Sequence, residues 1–108
     1  MALSDVKTVF DNADKNFNVD AAKGMDAVFQ FDITGESGGT WHVTVKEESC
    51  HVREGSHDNP SVTLKMSSET WLAVVNQKVN AVQAFMTGKL KVNGDIFLAR
   101  KIPDLFSF

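Results

Sequence analysis

From residue 29 to residue 66 the apolar side chains recur at every second position, and this alternation constrains the chain more than any other feature. Phe29, Phe31 and Ile33 alternate with Gln30, Asp32 and Thr34. Trp41, Val43 and Val45 alternate with His42, Thr44 and Lys46. Cys50 and Val52 alternate with His51 and Arg53, and Val62, Leu64 and Met66 with Ser61, Thr63 and Lys65. A period of two sends successive side chains to opposite faces of a strand. Turn residues separate the segments: "GESGG" over 35–39, "KEE" over 46–48, and Gly55 followed by "SHDNP". The first three strands read as an antiparallel meander with one apolar face and one wet face.

The period then becomes helical. "SSETWLAVVNQ" (67–77) has Ser67 or Ser68 as its cap and presents Trp71, Leu72, Val74 and Val75. "NAVQAFMTG" (80–88) starts from Asn80, presents Val82, Phe85 and Met86, and stops at Gly88 in the C′ position. Residues 4–14 form another amphipathic pattern, with Ser4 as cap and Val6, Val9, Phe10 and Ala13 on one face. Residues 14–24 are polar and read as a loop with a short helical turn.

Residues 86–102, "MTGKLKVNGDIFLARKI", pose a choice. Leu90 and Val92 alternate with Lys89, Lys91 and Asn93, and Asn93-Gly94 is a strong hairpin signal. A strand over 95–99 would be apolar on both faces, however. As a helix, Leu98, Ile102, Leu105 and Phe106 follow i, i+4, i+7, i+8, and Asp95 sits in the first turn, where a carboxylate favours the helix dipole. A lone fifth strand followed by a helix, broken or kinked at Pro103, is therefore expected. The sum is one α+β domain over residues 1–108: a five-stranded mixed, largely antiparallel sheet with one face covered by about four to five helices.

At 108 residues the chain can bury roughly two-thirds of its unfolded surface, enough for a core without a metal or disulfide staple. A net charge of −3 gives no global basic field, so no nucleic-acid partner is expected. The single cysteine, Cys50, fits a reducing compartment, and no apolar run approaches the ~20 residues of a membrane span. The N-terminus shows no signal pattern, and the C-terminal "LFSF" is not the Ser-Lys-Leu peroxisomal address. A cytoplasmic location is expected.

Side chains with chemical potential are scattered. His42 and His51 fall on the polar face while Cys50 points inward, so no ligand set of three or four converges. No metal, no cofactor and no catalytic group is expected. "GESGG" lacks the Gly-Lys-Ser/Thr ending of a phosphate loop and leads into a strand. Lys89, Lys91, Arg100 and Lys101 gather in the last quarter, as a solvated face or as a basic rim for anionic lipid or a coenzyme A phosphate. Lys15 and Lys23 are a second candidate pair for an acidic head group. The tail from 95 to 108 is more apolar than one helical stripe needs, so it is buried on two sides, faces a cavity, or contacts a partner.

"VFQFDITG", "GGTWHVTVKEESCHVREG", "NPSVTLKMSSETWLAVVNQKVNAVQAFMTGKLKVNGD" and the apolar tail together resemble the sterol carrier protein type 2 family of lipid-binding domains over roughly residues 5–106. The telling part is the order: an aromatic meander, then "LKMSSETW" running strand into helix, then "AFMTGKLKVNGD". The resemblance implies an apolar tunnel between sheet and helices that takes fatty acids, fatty acyl-coenzyme A, sterols or similar lipids. It carries over no catalytic residues. Phe31, Val43, Met66, Trp71, Phe85, Met86, Ile102 and Phe106 are the candidate lining. The expected activity is non-enzymatic lipid carriage by a monomer, with transient contact to a membrane surface. The alternatives are an accessory or dimerising module of a lipid-metabolising enzyme, or a small enzyme acting on a hydrophobic substrate in the same pocket.

Overall fold

The computed structural model describes residues 6–11, 17–35, 38–76 and 78–105. Helix α1 (Val6–Asp11) and a 3-10 turn (Asp20–Ala22) lead into β1 (Ala27–Thr34), β2 (Gly39–Lys46), β3 (Ser49–Glu54) and β4 (Val62–Ser67). Helices α2 (Ser68–Val75) and α3 (Ala81–Met86), strand β5 (Leu90–Gly94), and helices α4 (Ile96–Ala99) and α5 (Ile102–Leu105) follow. The five strands form one sheet in the order β3-β2-β1-β4-β5. All its pairings are antiparallel except β1 with β4, which is parallel. The expected α+β class with a five-stranded mixed sheet is what the chain adopts.

The register explains the single buried face. Phe31 pairs with Trp41 and Leu64, Phe29 with Val43 and Val62, Val45 with Cys50, and Met66 with Leu90. These side chains share one side of the sheet, and α1, α2, α4 and α5 contribute Val6, Phe10, Trp71, Leu98 and Leu105 to the same core. The opposite face is less wet than alternation predicts. Residues 55–61 cross it on the way from β3 to β4, where His57 N–H donates to Gln30 Oε1 at 2.9 Å and Ser61 N–H to the Val28 carbonyl at 2.9 Å. Gln30 is thereby left only 8% exposed, with its amide oxygen satisfied.

Helix ends follow their capping residues. Ser67 Oγ accepts from Thr70 N–H, Asn80 Oδ1 from Val82 N–H at 2.7 Å, and Asp95 Oδ1 from Phe97 N–H at 3.0 Å. Gly88 takes a positive φ of 80° just past α3, as a C′ glycine should. The Ser4 cap and the Ala13 position lie outside the described residues.

Residues 96–99 and 102–105 are helical, so Asn93-Gly94 is not a hairpin turn. Gly94 ends β5 opposite Val62 with φ 105°, and a Cβ there would lie 2.7 Å from the Ser61 carbonyl oxygen. The glycine permits a close backbone approach, after which Asp95 N–H bonds that same carbonyl at 3.1 Å. The break in the tail falls at Arg100 and Lys101, before Pro103, which occupies the first turn of α5 where a missing N–H is tolerated. Gly94→Ala is expected to lose about 1–3 kcal/mol or more, from left-handed strain plus the clash; chemical denaturation measures it.

The β2–β3 hairpin carries strain of its own. Lys46 pairs with Ser49, so Glu47 and Glu48 alone form the loop, with φ of 53° and 62°. Two positive φ values mark a type I′ turn, for which Asn-Gly is preferred. Glu47→Asn with Glu48→Gly is expected to raise stability by about 1–2 kcal/mol in the same assay.

Candidate functional site

Four aromatic rings meet on the inner face of the sheet. Phe10 of α1 stacks on Trp41 of β2 at 4.6 Å between centroids and on Trp71 of α2 at 5.0 Å, with interplanar angles of 12° and 5°. Phe31 of β1 tilts against Phe10 and Trp71, each at 5.3 Å. The residues come from four separate elements. The sheet pairing Phe31↔Trp41 and the placement of α2 directly after β4 bring them together. Offset stacks and tilted pairs of this kind add about 0.5–1.5 kcal/mol each beyond the area they bury.

The candidate lining residues divide into two sets. Phe31, Val43, Met66 and Trp71 are buried in one cluster beneath the helices, and Ile102 packs half-buried against it. Phe85 and Met86 stand on the outer side of α3, 41% and 81% exposed. The helix instead turns Ala84 and Ala81 inward, and the Ala84 carbonyl accepts from Lys89 N–H at 2.9 Å. Small residues allow α3 to approach β5 closely. Its larger apolar side chains, Val82, Phe85 and Met86, then fall on the far side. Phe106 and Lys15 lie outside the described residues. Lys23 is exposed and 3.9 Å from Asp20, an exposed pair that is worth little.

Sequence reasoning placed Phe10 and Trp41 on buried faces but not at the centre of the aromatic group, since alternation assigns a face and not a neighbour. It also registered the apolar surplus of the tail without locating it. Part of that surplus is Ile96 and Phe97 on α4, the latter 69% exposed. Two open depressions mark the margins of the molecule. One of about 530 Å³ is lined by Gly24, Met25, Asp26, Lys46, Glu47 and Glu48, and one of about 420 Å³ by Phe10, Asp11, Cys50, His51, Val52 and Arg53. Neither involves the candidate lining residues, and neither is an apolar tunnel. Among the described residues no group of three His, Cys, Asp or Glu side chains is placed to hold a metal ion.

A family model for the SCP-2 sterol transfer family matches residues 7–107. The chain belongs to the SCP-2 sterol transfer family. Hydroxysteroid dehydrogenase-like protein 2 of Bos taurus is 35% identical over 89 residues, which cover 82% of this chain and 21% of that protein. The chain thus spans about a fifth of the length of the curated relatives it matches. Sterol carrier protein 2 of Yarrowia lipolytica, in its apo form, superposes with a TM-score of 0.73 at 26% identity, covering 87% of this chain and 83% of that one. Palmitated SCP2L2 of Aedes aegypti superposes with a TM-score of 0.71 at 27% identity, covering 94% and 93%.

The aromatic group ties α1 and α2 to the sheet of this SCP-2 domain. Phe10→Ala is expected to cost about 3–5 kcal/mol, the range for a fully packed phenylalanine. Urea unfolding of the empty protein measures it.

Proposed function

We propose that this chain is a non-enzymatic lipid carrier. It takes the apolar part of a fatty acid, a fatty acyl-coenzyme A or a sterol-like molecule between the inner face of the sheet and the helices. The observation that carries this reading is the apolar surplus of the helical layer. The core is filled by buried side chains, yet Phe85, Met86, Ile96 and Phe97 remain exposed on α3 and α4. Large apolar side chains gathered on two short helices fit contact with something apolar. Membership of the SCP-2 sterol transfer family and the palmitate of the Aedes aegypti relative support the same ligand class.

On this reading the lining is Phe31, Val43, Met66, Trp71, Phe85, Met86, Ile102 and Phe106, with Lys15 and Lys23 as head-group partners. Phe85 and Met86 stand on the outer side of α3, so on this reading α3 must turn as well as shift for them to meet the ligand. α3 has six residues and α4 and α5 four each, lengths with little stability of their own, so they depend on packing and can move. Met66 and Met86 suit a tolerant wall, since thioethers repack at small cost. Each buried methylene contributes about 0.8 kcal/mol, a gross gain on the order of 10 kcal/mol for a long acyl chain. Association and ordering costs remove much of it, which leaves affinity around the micromolar range. The carrier acts as a cytoplasmic monomer that exchanges ligand at membrane surfaces.

A second reading has a specific observation behind it. The Bos taurus relative is a dehydrogenase-like protein of which the matching region is 21%, so the same domain can serve as the lipid-holding module of a larger enzyme.

Displacement of a fluorescent fatty acid tests the carrier reading, and saturable binding at about one per chain is expected. Both tryptophans, Trp41 and Trp71, lie in the aromatic group, so ligand entry should also shift intrinsic emission. Met86→Ser should weaken binding severalfold. It should change apo stability by no more than ~0.5 kcal/mol, because the side chain is 81% exposed. Absence of saturable binding across chain lengths would end the reading.

A further inference from the structure

Strand β5 closes the sheet on one side and has no strand beyond it. The hydrogen bond from Asp95 N–H to the Ser61 carbonyl, 3.1 Å, fixes how its backbone is turned. In an antiparallel ladder such a bond brackets a pair that is not itself hydrogen-bonded, here Val62↔Gly94. Alternation then turns the N–H and C=O groups of Lys91 and Asn93 toward β4, and those of Leu90 and Val92 off the open edge. Among the described residues no loop or helix supplies those outward groups with a hydrogen bond.

The side chains along this edge are unfinished on both faces of the sheet. Val92 points inward opposite Leu64, yet it is only half-buried where Leu64 is 4% exposed. A further strand would lie ~4.8 Å away and cover it. On the outer face Lys91 stands directly opposite Lys65, and both are exposed. Like charges placed so cost stability, and a carboxylate beside them would relieve it. The chain does not supply one. From residue 79 to residue 94 it holds no Asp or Glu, and Asp95 takes the Phe97 N–H on its Oδ1. Asp32 lies opposite Lys65 on the other side of β4, but among the described residues the ion pair formed is Lys23 with Asp20. The other edge strand, β3, lacks this single sign: His51 and Arg53 sit between Glu47 and Glu48 of its turn and Glu54 at its end.

We propose that β5 is a strand-addition site for an extended segment of a partner protein in which acidic and apolar residues alternate. The partner's backbone would pair with the outward groups of Leu90 and Val92. Its apolar side chains would fall on the inner side beside Leu90 and Val92, and its carboxylates on the outer side beside Lys91. In this mode of recognition the backbone bonds give affinity and the alternate side chains give selectivity. A second copy of β5 fits poorly, because Leu90–Gly94 contains no carboxylate and would add lysine to lysine. The site does not depend on lipid carriage, since the edge lies outside the space between sheet and helices.

A synthetic peptide of alternating glutamate and valine, roughly seven residues long to span β5, tests the proposal by amide-resolved NMR. The Leu90 and Val92 amide signals should move saturably, and their exchange with solvent should slow. Binding should weaken as salt rises. The same peptide N-methylated on the edge that meets β5 should bind more than tenfold more weakly, because it cannot donate to the ladder. Lys91→Glu should weaken the glutamate peptide about tenfold and favour a lysine–valine peptide instead. Its melting temperature should not fall, because residue 91 is exposed and would then face Lys65 with opposite charge. No saturable response at β5 would leave Lys91 as a guard against strand pairing and overturn the proposal. Equal binding of the N-methylated peptide would overturn it too, as would slowed exchange at Leu90 and Val92 that grows with protein concentration alone, which would give the edge to a second copy. Fluorescent fatty-acid displacement, run in parallel, keeps the two readings apart: peptide binding without fatty-acid binding removes only the carrier, and the reverse result removes only the strand-addition site.

Discussion

The structure hangs on the stacking of Phe10 against Trp41 and Trp71. A sheet with one apolar face needs a helical layer, and α1, at six residues, has almost no stability of its own. It is held because its one phenylalanine is in contact with the largest side chain of β2 and the largest of α2. Phe31 closes the group from β1. The result is a domain with unequal ends. Where β1 and β4 finish, large flat rings lock helices to strands. Along β5 the helices are short and held by alanines and a few half-buried aliphatic side chains. Parting the rings would forfeit several kcal/mol, whereas shifting α3 or α4 disturbs far less buried area. If a ligand enters between sheet and helices, the β5 side is the end that can yield.

Much of this was legible in the sequence, because a period of two states which face each residue takes. Every strand, the inward set of each, and the cap Asn80 follow from it or from capping chemistry, whereas the α2 cap stayed open between Ser67 and Ser68 until the structure gave it to Ser67. Alternation says nothing about neighbours. The parallel pairing of β1 with β4 depends on residues 55–61 crossing the polar face, and no local pattern encodes that route. Gln30 shows the consequence: its position in the alternation assigns it to water, yet the crossing segment buries it and supplies the backbone donor its amide needs. At Asn93-Gly94 a strong local rule lost to a global one. A strand after it would have had no face for water, so the chain turns into α4, and the glycine serves the close approach to Ser61.

The candidate site was legible in composition more than in placement. Helix α3 offers two stripes, Val82-Phe85-Met86 and Ala81-Ala84, and hydrophobicity alone selects the larger. The sheet selects the smaller, because a helix joined so tightly to β5 by the Ala84–Lys89 hydrogen bond must come close to it. The strand-borne candidates Phe31, Val43 and Met66 were easier to place, since a strand has only two faces.

If the short helices of the β5 side shift, their own hydrogen bonds let them do so without melting. The Asn80 and Asp95 caps are bonds between residues two apart, so they travel with the helix they start. They protect the backbone N–H groups that a displaced four- or six-residue helix would otherwise lose to water. Restraint between elements is sparser. Asn18 N–H donates to the Leu105 carbonyl at 2.7 Å, tying α5 to the segment before β1, and Asp95 N–H to Ser61 holds the start of α4 at β4. α4 lies between these two anchors, with the Arg100–Lys101 break on its far side. It can therefore tilt about its Asp95 end as a capped unit while α5 stays docked through Leu105, whose side chain is fully buried. A tilt of that kind would bring Ile96 and Phe97 onto whatever apolar surface lies opposite while leaving the aromatic end of the domain closed.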